Sequence, residues 1–245
     1  MTLFRQLAFN LIFYGYTAFM CCALLPFALL PRRIYVHFLR AYFDGVYWIE
    51  RHVLPLTYEL RGAENLPKDG PYLVALKHFS FYETMKLYPL FHDPAIILKK
   101  ELTYIPLWGW LLMKGDMIAI DRKAGSESLK LLGEEAVRIK NQGRPITIFP
   151  QGTRVKITDT VKEKPYKRGI IRMYEASGLP IIPVATNSGV FWPKSAFFIK
   201  PGNVVFEALP PIPPGLPAAD VMKLIETGLE EKSAALVAEA LEQVK

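Results

Sequence analysis

Lys77-His78-Phe79-Ser80-Phe81-Tyr82-Glu83-Thr84 follows directly on the apolar run Tyr72-Leu73-Val74-Ala75-Leu76. A short unbroken apolar run of this kind reads as a strand buried on both faces of a sheet. The residues after it release a histidine from the strand end into a loop and then open a helix. Strand, loop and helix in that order make the repeating unit of an α/β fold. His78 with a carboxylate five positions on, Glu83, offers a general base and a group able to orient its ring. Ser80-Phe81-Tyr82-Glu83 is also a capping box, with Ser80 starting the helix and Glu83 returning to the Ser80 amide. The two readings are compatible only if one carboxylate serves both.

Outward from this stretch, strands and helices alternate. Thr57 to Arg61 reads as a strand, joined to the apolar run through the turn residues Asn65, Pro67, Asp69 and Gly70. Phe81 to Phe91 reads as a helix, Ala95 to Leu98 as a strand, and Pro106 to Met113 as a helix begun by its proline. Met117 to Ile120 is the next strand. Leu129, Leu132, Ala136 and Ile139 recur at helical spacing within Ser126 to Asn141, ahead of Gly143. Ile146 to Phe149 is a strand, Gly169 to Ala176 a helix and Ile181 to Ala185 a strand. Ala196 to Ile199 and Val204 to Glu207 read as edge strands, and Asp220 opens a C-terminal helix. Pro210, Pro211, Pro213 and Pro214 make a stiff connector. The order specifies an α/β fold, with a mixed, mostly parallel sheet flanked by helices on both faces.

With 245 residues, 51% of them hydrophobic, the chain can bury one sizeable core and carry an appendage. A net charge of +7 favours an anionic partner: nucleic acid, phospholipid headgroups or a phosphorylated substrate. Nucleic-acid binding would rest on net charge alone, which a membrane surface explains equally well. Cys21 and Cys22 are adjacent, giving neither a disulfide framework nor metal-ligand spacing, and scattered histidines give no metal site.

Between Arg5 and Arg32 there is no charged residue. That stretch is long enough to cross a hydrocarbon core of roughly 30 Å, and too long for the apolar region of a secretory signal. In the next segment Ile34, Phe38, Tyr42, Val46, Ile49 and Val53 share one helical face, with Arg33, His37, Arg40, Asp44 and Arg51 opposite. This amphipathic helix suits either the plane of an anionic bilayer surface or the domain core. Arginines after the first span place the remainder of the chain on the cytoplasmic side.

Two loops after strands are suited to an anion. Phe149-Pro150-Gln151-Gly152-Thr153-Arg154 turns through a glycine, and Arg154 offers a bidentate fork. Asp121-Arg122 leaves the strand before it. Ligands of open α/β sheets gather beyond the carboxyl ends of strands, so His78, Arg122 and Arg154 are expected around one crevice. Lys99-Lys100 adds basic groups, whereas Lys162, Lys164, Lys167 and Arg168 read as a membrane-facing or solvated patch. The chain has no nucleophile elbow, phosphate-loop lysine motif or dinucleotide glycine fingerprint.

Taken together, His78 with Glu83, Ile120-Asp121-Arg122, Phe149 to Arg154 and Ile182-Pro183-Val184-Ala185 resemble the four ordered blocks of the glycerolipid acyltransferases. The bacterial 1-acylglycerol-3-phosphate acyltransferases are most similar, over roughly Tyr58 to Glu207. The resemblance implies acyl transfer from acyl-CoA or acyl-carrier protein, as co-substrate and with no other cofactor, to the sn-2 hydroxyl of lysophosphatidic acid, giving phosphatidic acid. It implies that His78 and Glu83 form a catalytic dyad. Lys100, Arg122, Gly152, Thr153 and Arg154 would then bind the phosphorylated acceptor, with Gln151 in the same pocket. It also implies residues 1–56 as a two-helix membrane anchor in one leaflet, residues 57–245 as the catalytic domain, and a place on the cytoplasmic face of the bacterial inner membrane. Two departures stand out. Glu83 replaces the family's usual aspartate and keeps its charge; Gln151 replaces a usual glutamate and loses one. A different lysolipid, an acylated amino acid or lipid binding without catalysis are the alternatives.

Overall fold

Leu73–Leu76 (β2) is the middle strand of a seven-stranded sheet, and all four of its residues are fully buried. The computed structural model describes residues 3–194 and 198–244. The other strands are β1 (Leu56–Arg61), β3 (Ala95–Lys99), β4 (Ile118–Ile120), β5 (Ile146–Ile148), β6 (Ile181–Thr186) and β7 (Gly202–Ala208). They lie in the order β1-β7-β6-β2-β5-β3-β4. The run from β6 to β4 is parallel; β7 pairs antiparallel with β6, and β1 parallel with β7.

The helices are α1 (Leu3–Leu24), α2 (Arg32–Val53), α3 (Tyr82–Leu90), α4 (Trp108–Lys114), α5 (Ser126–Lys140), α6 (Gly169–Ser177), α7 (Ser188–Phe191) and α8 (Ala218–Gln243). Parallel strands must be joined by right-handed crossovers. The chain moves one way along the sheet from β2 to β4 and the other way from β4 through β5 to β6, so its crossover helices fall on opposite faces. One apolar layer accordingly joins residues of α1 to α4, among them Phe9, Tyr42, Tyr82 and Leu111. The other joins α5, α6 and α8 through Leu132, Ile170 and Leu229.

Val204 to Glu207 does not form an edge. β7 lies between β1 and β6, with Val204 and Phe206 fully buried. Ala196 and Phe197, from the other expected edge strand, lie outside the described residues. Ile199 is not in a strand: its N–H donates to Gln6 Oε1 of α1 at 3.0 Å, so that donor is used without a ladder. Pro106 does not open α4, which starts two residues later after Leu107 at φ +64°. Gly109 permits this, because α4 packs so tightly on the preceding turn that a Cβ there would sit 2.0 Å from the Thr103 carbonyl oxygen. Within the proline connector, Ile212 exchanges two backbone hydrogen bonds with Ile181, at 2.8 and 3.0 Å.

α1 leaves Phe4 81% and Leu11 77% exposed, and among the described residues it belongs to the one helical stretch long and apolar enough to cross a membrane. α2 behaves differently. Its inward face is Tyr35, Leu39, Tyr42, Phe43, Val46 and Ile49, rotated from the expected stripe so that Ile34 is exposed. Protein rather than lipid covers that face: Phe43 stacks on Tyr88 of α3 with ring centroids 5.0 Å apart.

The deepest tie between α2 and α3 is ionic. Lys86 is wholly buried and bonded to Glu50, equally buried, with its ammonium 4.3 Å from the Tyr82 ring centroid. Burial raises the pKa of Glu50 and lowers that of Lys86, and the attraction of each for the other opposes both shifts. Removing one partner leaves an uncompensated buried charge, which costs on the order of 3–5 kcal/mol, whereas removing both together costs far less. Lys86→Met is therefore expected to lose about that much stability in urea denaturation. Lys86→Met combined with Glu50→Leu should recover most of it.

Candidate active site

β2 delivers His78 to the carboxyl end of the sheet, and backbone bonds on two sides fix it there. Lys77 N–H donates to the Val184 carbonyl at 3.0 Å, and Val155 N–H donates to the His78 carbonyl at 2.8 Å. The imidazole lies against the Phe149 ring, centroids 3.8 Å apart and 16° from parallel, with 13% of the side chain exposed.

Glu83 contacts both of its expected partners, the His78 ring and the Ser80 amide. Its carboxylate is fully buried and accepts from Phe79 N–H at 3.1 Å, from Ser80 N–H at 2.9 and 3.0 Å, and from the Ser188 hydroxyl. Oε2 also meets His78 Nδ1 at 3.2 Å. That contact is at the long end of the hydrogen-bonding range, as catalytic contacts commonly are before substrate closes a site. Surrounded by donors, the carboxylate is an acceptor toward Nδ1, a geometry that favours the His78 tautomer with its proton there and a lone pair at Nε2. Ser80 contributes to the cap by accepting from Tyr82 N–H at 3.0 Å.

A cavity of about 410 Å³ reaches the Phe149 ring on which His78 is stacked, and His78 itself is not among its lining residues. Ile97, Ile120, Leu129, Leu132 and Ile148 form its apolar floor; Arg122, Gly152, Lys167 and Arg168 form its basic mouth, with Phe149 in the wall. Gly152, at φ +69°, turns its carbonyl to the Arg122 guanidinium. Desolvation lowers the pKa of Arg122, and the charge of Glu101 opposes that shift. Arg168 and Gly169 at the start of α6 also line the cavity, and a helix N-terminus favours an anion.

Gln151 is buried under this mouth. Its Nε2 donates to the Lys164 carbonyl at 2.8 Å, and Oε1 has no hydrogen-bond partner among the described residues. Lys167 N–H in turn donates to the Pro150 carbonyl at 2.8 Å. Residues 150 and 151 thus hold the loop that carries Lys167 and Arg168.

Three expected ligands stand apart. Arg154 reaches the Lys194 carbonyl at 3.5 Å, beside a second cavity of about 280 Å³ lined by Phe79, Val155, Ile157 and Lys194. Lys100 is exposed on a short 3-10 helix, Lys100–Tyr104, and Thr153 is exposed in the turn. Among the described residues, the lining of the first cavity contains none of these three. The sequence reading missed Lys167, Arg168 and Ser188. The first two carried one usable signal, their position just before the helix that starts at Gly169. Ser188 carried none, since it reaches Glu83 only when β6 lies beside β2.

Residues 57–187 match the family described as Acyltransferase. The 1-acyl-sn-glycerol-3-phosphate acyltransferase of Pseudomonas aeruginosa is 34% identical over 191 residues, covering 78% of this chain and 71% of that protein. This chain belongs to the acyltransferase family. The alpha 1-acyl-sn-glycerol-3-phosphate acyltransferase of Mus musculus is 28% identical over 181 residues, 72% of this chain and 62% of the mouse protein. The chain thus spans somewhat under two thirds of that relative. The crystal structure of the 1-acyl-sn-glycerophosphate (LPA) acyltransferase PlsC from Thermotoga maritima has the same fold, with a TM-score of 0.77 at 21% identity, over 96% of this chain and 98% of that one.

In this acyltransferase, Glu83→Gln puts an amide among donors and reverses the preferred tautomer of His78. Turnover should fall about 1,000- to 10,000-fold, the scale expected when the ring-orienting acid of a histidine is neutralised. Ser188→Ala removes one of several donors to the same carboxylate and should cost roughly tenfold in turnover, with an unchanged acceptor KM. Steady-state kinetics on both purified variants check the pair.

Proposed function

We propose that this acyltransferase moves an acyl chain from a thioester, on coenzyme A or acyl-carrier protein, to the sn-2 hydroxyl of 1-acylglycerol 3-phosphate, giving phosphatidic acid. The observation that carries the reading is a cavity with a basic mouth and an apolar floor, set against the Phe149 ring on which His78 is stacked. A lysophospholipid has that same division between phosphate and hydrocarbon. The named relatives from Pseudomonas and mouse support the same acceptor.

His78 Nε2 accepts the proton of the acceptor hydroxyl as its oxygen attacks the thioester carbonyl. The new C–O bond forms, the C–S bond breaks as the tetrahedral intermediate collapses, and the imidazolium returns its proton to the departing sulfur. Glu83 stabilises the imidazolium between these steps. Base catalysis of this kind contributes about 100- to 10,000-fold. No enzyme nucleophile is required. Arg122, Lys167 and Arg168 hold the phosphate, with Gly152 shaping the mouth; Lys100, Thr153 and Arg154 form a more distant ring of polar and basic groups. Residues 1–56 anchor the protein on the cytoplasmic side of the membrane that contains the acceptor, and residues 57–245 carry the chemistry.

Purified protein in vesicles is expected to acylate lysophosphatidic acid, with product followed by release of free thiol. His78→Ala should abolish transfer while leaving the fold intact. Full activity in that variant rules out the mechanism. Arg168→Ala should raise KM about tenfold or more for the phosphorylated acceptor, with little effect on an uncharged monoacylglycerol. Gln151→Glu loses the donor that holds Lys164 and sets a carboxylate against that carbonyl. It should raise the acceptor KM by loosening the loop of Lys167 and Arg168; an unchanged KM means the side chain does not act through the loop.

A further inference from the structure

The connection from β3 to β4 carries an unusual density of exposed apolar side chains: Leu102, Tyr104, Ile105, Trp110 and Met113. Tyr104 is 67% exposed and Trp110 64%. This is a built surface. Thr103 Oγ1 donates to the Lys100 carbonyl at 2.7 Å, Gly109 N–H to the Ile105 carbonyl at 2.8 Å and Leu111 N–H to the Leu107 carbonyl at 3.1 Å. Its inner side is packed on the N-terminal helices. Leu111 is buried, its carbonyl accepts from the Tyr35 hydroxyl at 3.0 Å, and Trp108 meets the Tyr42 ring at 5.6 Å. A rigid scaffold thus displays aromatic and aliphatic groups to solvent, a pattern that marks an interaction site.

We propose that residues 100–114 are a second bilayer contact, which sets Tyr104, Ile105, Trp110 and Met113 into the boundary between headgroups and acyl chains beside α1. Three observations select lipid as the occupant. α4 touches α1, the membrane-length helix that itself exposes Phe4 and Leu11. Trp and Tyr with lysines at either end, here Lys100 and Lys114, are the composition favoured at an anionic membrane interface. Elsewhere on the described surface, exposed large apolar side chains such as Leu131, Leu216 and Leu224 are dispersed along the chain.

The consequence for substrate is geometric. The segment joins β3 to β4, whose Ile97 and Ile120 floor the candidate cavity, and Arg122 at its mouth follows β4 directly. Contact at 100–114 would hold that mouth at the headgroup plane, where a lysolipid phosphate lies. The inference rests on the reading that the acceptor is a membrane lipid.

The test places an environment-sensitive fluorophore on full-length protein in which Cys21 and Cys22 are replaced by serine. Labelling follows Phe4→Cys, Trp110→Cys or Leu224→Cys, one at a time. Vesicles of phosphatidylcholine and phosphatidylglycerol are added, with spin-labelled acyl chains as quencher. The expected result is a blue shift and quenching at positions 4 and 110 and neither at 224. A probe at 110 that stays aqueous while the one at 4 inserts overturns the proposal and leaves the membrane reading standing. A shift at no position overturns both. A probe at 110 that responds to protein concentration in detergent but not to vesicles assigns the surface to a second copy and also overturns it. As a functional arm, Trp110→Glu should lower the rate about tenfold on acceptor embedded in vesicles and leave it unchanged on a soluble short-chain lysophosphatidic acid. Equal effects on both acceptors overturn the membrane role.

Discussion

A single buried carboxylate holds the candidate catalytic centre together. Glu83 closes the start of α3 by accepting from the Phe79 and Ser80 amides, and with the same two oxygens it orients His78 and receives the Ser188 hydroxyl. A carboxylate buried from solvent must have its lone pairs satisfied by protein. That requirement binds loop, helix and sheet into one arrangement: the strand end supplies the histidine, the helix start supplies the carboxylate, and the short helix after β6 supplies the last donor. Orientation of His78 and helix initiation are therefore a single constraint.

The same helix carries a second buried charge one turn further on. Lys86 meets Glu50 of α2, so α3 is tied to the active-site loop at its start and to an N-terminal helix at its middle. Two buried side chains held by polar partners on one helix leave it little freedom to shift along its axis without uncovering a polar group. Since α2 contacts α1 as well as α3, the apolar helix exposed at the surface and the residue that orients His78 are linked through continuous packing. The sheet direction supplies the rest. Its reversal after β4 sends α5 and α6 to the far face, and the cavity opens among the strand ends and helix starts that this leaves on the carboxyl side.

Much of this was legible along the chain because it is local. The strand at Leu73–Leu76, the helix opened by Ser80 and Glu83, and the glycine turn at Gly152 are set by near neighbours in sequence. What periodicity missed was decided at long range. The register of the α2 face depended on α3 and β1, which offered Tyr88 and Tyr58 to Phe43 and Tyr47. Val204 to Glu207 read as an edge near the end of the sheet order, yet β1 pairs with it from the far end of the chain. Lys167 and Arg168 looked like part of a solvated run; only the docking of α6 beside β5 brought them over the cavity, while Arg154, the stronger candidate on chemistry alone, turned toward Lys194.

Gln151 shows why a single departure from a family pattern has to be read through its contacts. Counted as a charge, the change from glutamate makes the pocket more positive. In place, the side chain is buried and donates to the Lys164 carbonyl, an interaction that a carboxylate cannot make. The amide therefore fits the loop that it holds, and the two cations carried on that loop are what face the cavity. An effect of this residue on acceptor choice would pass through the placement of Lys167 and Arg168. The glutamine would then act as a positioning residue, while the mouth itself is lined by three basic side chains, Arg122, Lys167 and Arg168.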